Sequence, residues 1–361
     1  MPHQKARLIL EDGSTFEGYS FGFEKSVSGE VVFNTAMTGY PESLTDPSYK
    51  GQILISTYPL VGNYGVPEFI KENGIVKNFE SEKIQVTAFV ISDYSFDYSH
   101  WSAKKSLGEW LTENEIPALF GIDTRALTIK LREKGTMLGK IIFGNTDIPF
   151  YNPNKENLVE QVSVQKKTVH GSGKHKILLV DLGVKHNIVR CLVKRGATVI
   201  RVPWNYDIVK EEYDGLVISN GPGDPQMCKS TIANVRKAFE KDKPIFGICM
   251  GNQIMSIAAG ADTYKLRYGH RSHNQPVINV ETDKCYITSQ NHGYAVDSKR
   301  LNEEWTELFV NLNDGTCEGI KHKTKPFFAT QFHPEASSGP TDTEFLFDEF
   351  LDLVRQKNNA K

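Results

Sequence analysis

From Lys176 onward, short apolar runs alternate with amphipathic segments, and this alternation constrains the fold more than any other feature of the sequence. We predict strands at KILLVDLG, TVIRVPW, GLVISN and PIFGIC, and helices at HNIVRCLVKRG, STIANVRKAFEKDK and MGNQIMSIAAGA. Strands and helices with short connections are typical of a doubly wound parallel sheet, in which ligands bind beyond the carboxyl ends of the strands. The sequence therefore predicts an α/β domain over 176–361 with a mostly parallel sheet, and a terminal amphipathic helix from Asp342.

The residues up to about Phe150 follow a different pattern, with many strand and turn signals. LILEDGSTFEGYSFG predicts two strands joined by an Asp-Gly turn, and GEVVFNTAM and GQILISTYPLVG predict further strands. Short helices are expected over 101–114 and 124–134. We therefore predict a separate β-rich α+β domain over 1–150. A linker is expected over 151–175, where turn formers and charges replace apolar periodicity.

The composition excludes several classes of protein. Apolar residues make up 39% and charged residues 24% of the 361 residues, which is ordinary for a globular protein of about two domains. A net charge of -2 provides no basic field for nucleic acid or for an anionic membrane. No apolar run approaches the roughly 18 residues of a membrane span, and the N-terminal apolar stretch is too short for a secretory signal. We therefore expect a cytoplasmic protein with neither nucleic-acid nor membrane partners.

The five cysteines favour neither a disulfide framework nor a zinc site, because they are odd in number, widely spaced and without a CxxC pair. Four of them are expected to be small buried hydrophobic residues: Cys191, Cys228, Cys285 and Cys317. Cys249 differs because a glycine stands two residues away on each side.

GICMGNQ, residues 247–253, joins a predicted strand to a predicted helix. Its G-x-C-x-G pattern is the thiol version of the nucleophile elbow, a strained turn that presents the side chain above the sheet. The helix N-terminus would favour a Cys249 thiolate, and the backbone N–H of Met250 would face a substrate carbonyl as an oxyanion donor. The alternative interpretation is a buried cysteine in a glycine-rich turn.

A thiol nucleophile gains from a base, and the base gains from a group that orients it. QFHPE, residues 331–335, follows a predicted strand and supplies His333 and Glu335 two residues apart. Taken alone, this histidine could simply be exposed in a loop. His292, in SQNHGYAV at 289–296, is a rival base, but it has no carboxylate two or three residues away.

Three further segments contain candidate residues. In SNGPGDP, residues 219–225, the glycine backbone could approach a ligand, and Gly223 is a candidate second oxyanion donor, although a plain turn explains the same composition. The loop lacks the P-loop pattern of a phosphate site. His270 and His273 are spaced for a metal only on a helix, and their strand-like context predicts no metal. TGYPESLTDPSYKGQ, which contains Ser48, has the composition of a solvated loop.

Taken together, SNGPGDP, GICMGNQ, SQNHG and QFHPE resemble a class I, triad-type glutamine amidotransferase domain. In the first half, LEDGSTFEGYSFG, GEVVFNTAMTGYPESLTDPSY and TYPLVGNYG look like the N-terminal domain of the small subunit of carbamoyl phosphate synthetase. Other amidotransferases of this class lack that domain. The resemblance extends from about Ala6 to Leu353.

This resemblance implies roles for particular residues. Cys249 would attack the carboxamide of glutamine and form a glutamyl thioester, His333 would move protons, and Glu335 would orient His333. Met250 and Gly223 would supply the oxyanion donors. The implied glutamine-binding set is Ser48, Gly221, Gly223, Met250, Gln253, Asn291, Gly293 and Tyr294.

The resemblance also implies a partner. Ammonia would pass through a tunnel to a large synthetase subunit, which makes carbamoyl phosphate from bicarbonate and two ATP for arginine and pyrimidine synthesis. No cofactor or metal is expected in this chain, because nothing in it looks like an ATP site; ATP and its metal would bind the large subunit.

The motifs depart from the family pattern at three positions. Asn252 stands where histidine is commoner, Met250 replaces leucine, and Tyr294 replaces phenylalanine. We expect little effect on the chemistry, because Asn252 is not the base and Met250 would act through its backbone.

Three alternative functions remain open at this stage. The chain could be the glutaminase of another synthase, such as one that makes anthranilate or GMP, or a stand-alone cysteine hydrolase of γ-glutamyl peptides. The N-terminal domain argues against both. A non-catalytic regulatory subunit is the third alternative, and the intact Cys249, His333 and Glu335 argue against it.

Overall fold

The computed structural model describes residues 3–359, which form two compact units. The first unit runs to Lys71 and resumes over Val76–Lys155, and the second comprises Glu72–Ile75 and the chain from Glu156 onward. The outermost positions of the predicted domains, 1, 2, 360 and 361, lie outside the described residues.

Within the described residues, the first unit contains short strands and three α-helices. The strands are β1 (Lys5–Leu10), β2 (Thr15–Ser20), β3 (Val27–Asn34), β4 (Gln52–Ser56), β5 (Leu60–Val61), β6 (Val66–Pro67), β7 (Lys71–Glu72), β8 (Ile75–Val76), β9 (Ala88–Val90), β10 (Asp93–Tyr94), β11 (Ala103–Lys105), β12 (Ala118–Phe120) and β13 (Met137–Phe143); β7 and β8 lie where the chain leaves and re-enters this unit. The helices are α1 (Tyr40–Thr45), α2 (Leu107–Glu113) and α3 (Thr124–Lys134).

Seven of these strands close into a barrel in the order β1-β13-β3-β4-β9-β12-β2. The predicted hairpin at the start of the chain is confirmed: β1 and β2 pair antiparallel across the Asp-Gly turn. Alternate residues of β1, among them Leu8 and Leu10, are buried, as expected for a strand with one face on a core. This mixture of a barrel and helices is the β-rich α+β unit that the sequence predicts.

The helix predicted over 101–114 is shorter than expected. It begins only after Ser106, whose hydroxyl accepts a hydrogen bond from the N–H of Glu109 while the Glu109 carboxylate accepts one from the N–H of Ser106. This capping box fixes the start of α2, and the residues before it form β11. The helix predicted over 124–134 is confirmed as α3.

The second unit contains a ten-stranded sheet flanked by helices. The strands are β14 (Thr168–His170), β15 (His175–Asp181), β16 (Ala197–Pro203), β17 (Gly215–Ile218), β18 (Ile245–Ile248), β19 (Asp262–Asn279), β20 (Cys285–Asp297), β21 (Trp305–Asn311), β22 (Cys317–His322) and β23 (Phe327–Thr330). The helices are α4 (Leu158–Val162), α5 (His186–Lys194), α6 (Lys229–Ala238), α7 (Met250–Ala258) and α8 (Leu346–Asn359).

The sheet runs in the order β14-β16-β15-β17-β18-β23-β22-β20-β19-β21. Its centre, from β16 to β23, is parallel, and the strands beyond it are antiparallel. Apolar residues are packed on both faces, with Leu178 and Ile218 in one cluster and Leu179 and Val217 in the other. Strands buried on both faces read as continuous apolar runs, which explains why the doubly wound fold was predictable.

Two features of the second unit differ from the sequence interpretation. The segment 151–175, predicted as a linker, contains α4 and the edge strand β14, which pairs with β16; both are too short to show apolar periodicity. Cys285 is exposed, whereas the other three structural cysteines are buried as expected. It is the first residue of β20, at the start of a long hairpin arm.

Within residues 3–359, the helices are too short or too polar to cross a membrane.

Candidate active site

Cys249 stands alone between the end of β18 and the start of α7. Its backbone angles, φ 54° and ψ −104°, place an L-residue in a region that is rarely populated. The side chain is almost fully buried, at 2% exposure. This conformation is that of the predicted nucleophile elbow, and it continues directly into the N-terminus of a helix.

The two flanking glycines allow three elements to pack closely around this turn. A Cβ atom on Gly251 would lie 2.1 Å from the backbone oxygen of Ile218 in β17. A Cβ atom on Gly247 would lie 2.6 Å from the sulfur of Met255 and 2.8 Å from the backbone of Gly251. Both glycines are therefore required by the packing of β17, β18 and α7.

Gly251→Ala is expected to destabilise the protein by at least about 2 kcal/mol, because the added methyl group meets a backbone oxygen that cannot rotate away. Urea unfolding measures the change. Ala258→Gly, at a half-buried position of the same helix, is the matched control and should cost only about 1 kcal/mol. Equal effects of the two substitutions would contradict the steric argument.

His333 and Glu335 form a buried pair beside this turn. The N–H of Cys249 donates to the oxygen of Thr330 at 2.7 Å, so the elbow is joined to the end of β23, from which His333 follows. Imidazole Nδ1 lies 2.7 Å from Oε1 of Glu335, and the N–H of His333 donates to the oxygen of Ser289 at 2.9 Å. The ring is therefore held through Nδ1, and Nε2 is left for another group.

Each member of this pair stabilises the charged form of the other. Burial alone lowers the pKa of His333, but the Glu335 carboxylate and the Cys249 thiol more than offset this effect, and the pKa is raised. Burial raises the pKa of Glu335, and the cations Lys185 and His333 reverse that effect, so its pKa is well below its ordinary value. An imidazolium held by a carboxylate can stabilise a neighbouring thiolate, which is the nucleophilic form of cysteine.

Lys185 is a member of this site that the sequence interpretation missed. It lies in the loop between β15 and α5 and is only 4% exposed. Its ammonium group is 3.1 Å from Oε1 of Glu335 and also donates to the oxygen of Ala336. Nearby, Asn187 donates to the oxygen of Glu335. The only sequence signal was a polar residue in a loop at the carboxyl end of a predicted strand.

Gln331 is a second residue that was missed, although it begins the QFHPE motif. Its Nε2 lies 3.6 Å from the Cys249 sulfur, towards which it donates. Its Oε1 accepts hydrogen bonds from Asn252 at 3.1 Å and from Gln253 at 3.2 Å. Asn252 therefore helps to position the Gln331 amide that lies near the Cys249 sulfur. Its place in the motif, where histidine is commoner, did not suggest this role.

One of the predicted glutamine-binding residues of β20, Asn291, contacts the same thiol. The Cys249 sulfur contacts the backbone oxygen of Asn291 at 3.8 Å, and Gln253 donates to the oxygen of Tyr294 at 2.9 Å. Gly293 lies between these two residues on the strand. The rival base His292 is buried, and its ring is engaged by Tyr294 and Gln290. Burial lowers the pKa of His292 well below its ordinary value, which favours the neutral ring.

The other predicted residues lie in three places. Gly221 and Gly223 lie in the loop after β17, beside Asn220, whose side chain accepts a hydrogen bond from the N–H of Lys185 at 3.0 Å. Met250 is the first residue of α7. Ser48 belongs to the first unit, where its N–H donates to Asp46 at 2.9 Å. Roles for these residues in binding glutamine or an oxyanion stay predictions.

Comparison with known proteins gives a family model for each unit. Residues 8–141 match the model described as carbamoyl-phosphate synthase small chain, CPSase domain, and residues 178–353 match the model described as glutamine amidotransferase class-I. The chain is 55% identical over 357 residues to the multifunctional protein CAD of Squalus acanthias, and 52% identical over 358 residues to the mitochondrial carbamoyl-phosphate synthase [ammonia] of Homo sapiens.

These matches cover 97% and 98% of this chain but only 16% and 24% of the two relatives. Among solved structures, a putative GMP synthase component from Thermoplasma acidophilum aligns with 52% of this chain and 96% of its own, at 25% identity and a TM-score of 0.46.

Proposed function

Because the chain belongs to the carbamoyl-phosphate synthase small-chain family, with a class-I glutamine amidotransferase domain, we propose that it is the glutaminase of a carbamoyl phosphate synthetase. It hydrolyses L-glutamine with Cys249, His333 and Glu335. The ammonia then serves a synthetase partner. The observation that carries this proposal is the 2.7 Å pair of His333 and Glu335 beside a cysteine on a strained strand-to-helix turn.

The geometry supports a two-step acyl transfer. The thiolate of Cys249 attacks the side-chain carbonyl of glutamine, and the N–H groups of Met250 and Gly223 stabilise the oxyanion. His333 gives its proton to the departing nitrogen, so ammonia leaves and a glutamyl thioester remains. Water then gives a proton to His333 and its oxygen to the acyl carbon, which releases glutamate and restores the Cys249 thiolate beside a protonated His333.

Each remaining group has a supporting role in this scheme. Glu335, anchored by Lys185, keeps the imidazole oriented, and Gln331 donates towards the sulfur. Asn291, Gly293 and Tyr294 would bind glutamine along β20, with Gln253 bracing the strand through Tyr294. Gly221 and Ser48 complete the proposed glutamine set.

The partner is a large synthetase subunit or region that receives ammonia through a tunnel. The relatives contain a segment like this chain within much longer proteins, and one of them is named a carbamoyl-phosphate synthase. That partner would make carbamoyl phosphate from bicarbonate and two ATP, for arginine and pyrimidine synthesis in the cytoplasm. ATP and its metal would bind there, and the proposed glutaminase reaction itself needs no cofactor.

The test is glutamate release from glutamine by the purified chain, alone and with a large synthetase subunit, bicarbonate and ATP. We expect the complete system to be strongly stimulated and to form carbamoyl phosphate. Equally fast hydrolysis in both conditions would contradict a partner-gated glutaminase, and turnover of a γ-glutamyl peptide would then identify a stand-alone hydrolase. A glutamine analogue that fails to label Cys249 would instead indicate a regulatory subunit.

A further inference from the structure

A second cluster of buried, potentially metal-binding side chains lies on β19, β20 and β22 and shares no residue with Cys249, His333 and Glu335. It consists of His270 on β19, His292 on β20 and Glu318 on β22. His270 and His292 are direct partners across the two antiparallel strands, and their rings meet edge to face with centroids 4.9 Å apart. The Glu318 side chain is fully buried. Such groups are rarely buried together without a compensating charge.

Each imidazole is anchored through one nitrogen. His292 Nδ1 donates to the backbone oxygen of Tyr294 at 2.8 Å, and His270 Nε2 donates to the carboxylate of Asp314 at 2.8 Å. In a neutral ring the other nitrogen then carries a lone pair. Histidines that bind metals almost always have their second nitrogen held in this way, by a backbone carbonyl or a carboxylate.

The free sides of the two rings converge on Glu318. Its Oε1 lies 3.3 Å from His270 Nδ1 and 3.9 Å from His292 Nε2. The amide oxygen of Gln290 lies 3.1 Å from the same His292 nitrogen. Among the described residues, His270 Nδ1 and Glu318 Oε2 have no hydrogen-bond partner. Burial lowers the pKa of His270, but the Glu318 and Asp314 carboxylates raise it overall, so a proton on this ring compensates the buried charge when no cation is bound. With both rings neutral, the lone pairs of His270 Nδ1 and His292 Nε2 and the Glu318 carboxylate converge on one small volume.

We propose that His270 Nδ1, His292 Nε2 and the Glu318 carboxylate bind a divalent transition-metal cation of the zinc type. One potential ligand atom from each of these residues lies within 4.8 Å of the other two, so small side-chain movements bring them to coordination distance. Two imidazoles and one carboxylate suit zinc, and Gln290 provides the nearest further oxygen. Calcium and magnesium are disfavoured, because they prefer sites made of oxygen ligands.

The site would link three strands next to the active centre. Asn291, whose backbone oxygen contacts the Cys249 sulfur, precedes His292, and Gln331, which donates towards that sulfur, bonds through its N–H to the oxygen of Glu318 at 2.7 Å. A cation shared by β19, β20 and β22 would thus fix the strand that carries the proposed glutamine-binding residues. This metal is structural and takes no part in the proposed hydrolysis.

The experiment measures metal in the full chain, produced without a polyhistidine tag and desalted after incubation with zinc. We expect about one zinc per chain, removed by a strong chelator with a fall in melting temperature that zinc reverses. Cobalt in place of zinc should give visible absorption bands from bound cobalt. A metal content below about 0.1 per chain would overturn the proposal and leave a proton on His270 as the compensating charge.

Variants locate the metal. Glu318→Gln should lose stoichiometric zinc, and Asp314→Asn, which alters the carboxylate that anchors His270, should weaken zinc binding about 10-fold to 100-fold. Cys249→Ser and Cys285→Ser should retain zinc, which separates this site from the catalytic thiol and from the exposed cysteine. Zinc retained by Glu318→Gln, or lost with Cys249→Ser, would overturn the assignment. The cobalt spectrum of the unmodified chain keeps the proposal testable if Glu318→Gln fails to fold.

Discussion

Cys249→Ser is expected to abolish glutamine hydrolysis, by at least about 10³-fold, while the assembled synthetase still makes carbamoyl phosphate from free ammonia. The serine hydroxyl is far less acidic than the thiol, so a neighbouring imidazolium cannot hold it ionised. The elbow itself should persist, because its N–H still donates to Thr330 and the flanking glycines are unchanged. Cys249→Ser should therefore lose glutamine hydrolysis and retain its fold.

The measurement is glutamate release and carbamoyl phosphate formation by the same complex, with glutamine and then with ammonium as nitrogen donor. Cys285→Ser, which changes an exposed thiol on β20, is the control and should match the unmodified protein in both assays. Loss of ammonia-dependent synthesis in Cys249→Ser would contradict the division of labour between this chain and its partner.

Lys185→Met is expected to produce the largest loss of stability, about 3 kcal/mol or more at neutral pH. The substitution leaves the Glu335 carboxylate buried without the ammonium group that lies 3.1 Å away. His333 remains beside Glu335 and compensates part of the charge, which keeps the expected loss near the lower end of the range for broken buried pairs.

The pH dependence of that loss follows from the direction of the pKa shift. Lys185 helps lower the pKa of Glu335 in the folded protein below its ordinary value of 4.5. A lowered folded-state pKa contributes stability that is present above the unfolded value and is lost as pH falls through the folded value. The difference between Lys185→Met and the unmodified protein should therefore be greatest above about pH 4.5 and shrink in acid.

Urea unfolding across this pH range measures both effects. Lys185→Arg keeps the positive charge and should lose much less stability. The double variant Lys185→Met, Glu335→Gln removes both charges and should recover part of the loss. A pH-independent loss, or no recovery in the double variant, would mean that Lys185 stabilises the site through packing alone.

The parts of the site that local sequence determines were predictable. The strained turn at Cys249 is specified by glycines two residues away on each side, and His333 and Glu335 are separated by only one residue. Lys185 could not be predicted in the same way, because it lies 150 residues from Glu335 and reaches it only through the order of the parallel strands. Gln331 was missed although it belongs to the QFHPE motif, because its contact with Cys249 depends on the orientation of its side-chain amide.

The proximity of His270 and His292 could not be predicted either, because it also depends on residues that are distant in sequence. The sequence predicts a strand at His270 and His273, and both residues lie on β19. The structural partner of His270 is His292, which faces it across the β19–β20 hairpin with an irregular register on both sides. A pairing across two long strands depends on bulges that no local pattern marks.

The closed barrel of the first unit has a consequence for how the chain acquires its structure. The first strand of the unit, β1, pairs with its last strand, β13, with Ala6 opposite Phe143. The two strands that close the barrel are therefore separated by almost the whole sequence of the unit. A ribosome that has released only the residues before Met137 therefore holds an open sheet whose β1 and β3 edges lack their common partner, β13. Closure must wait for that strand, and a nascent chain halted before it would expose two strand edges to other chains.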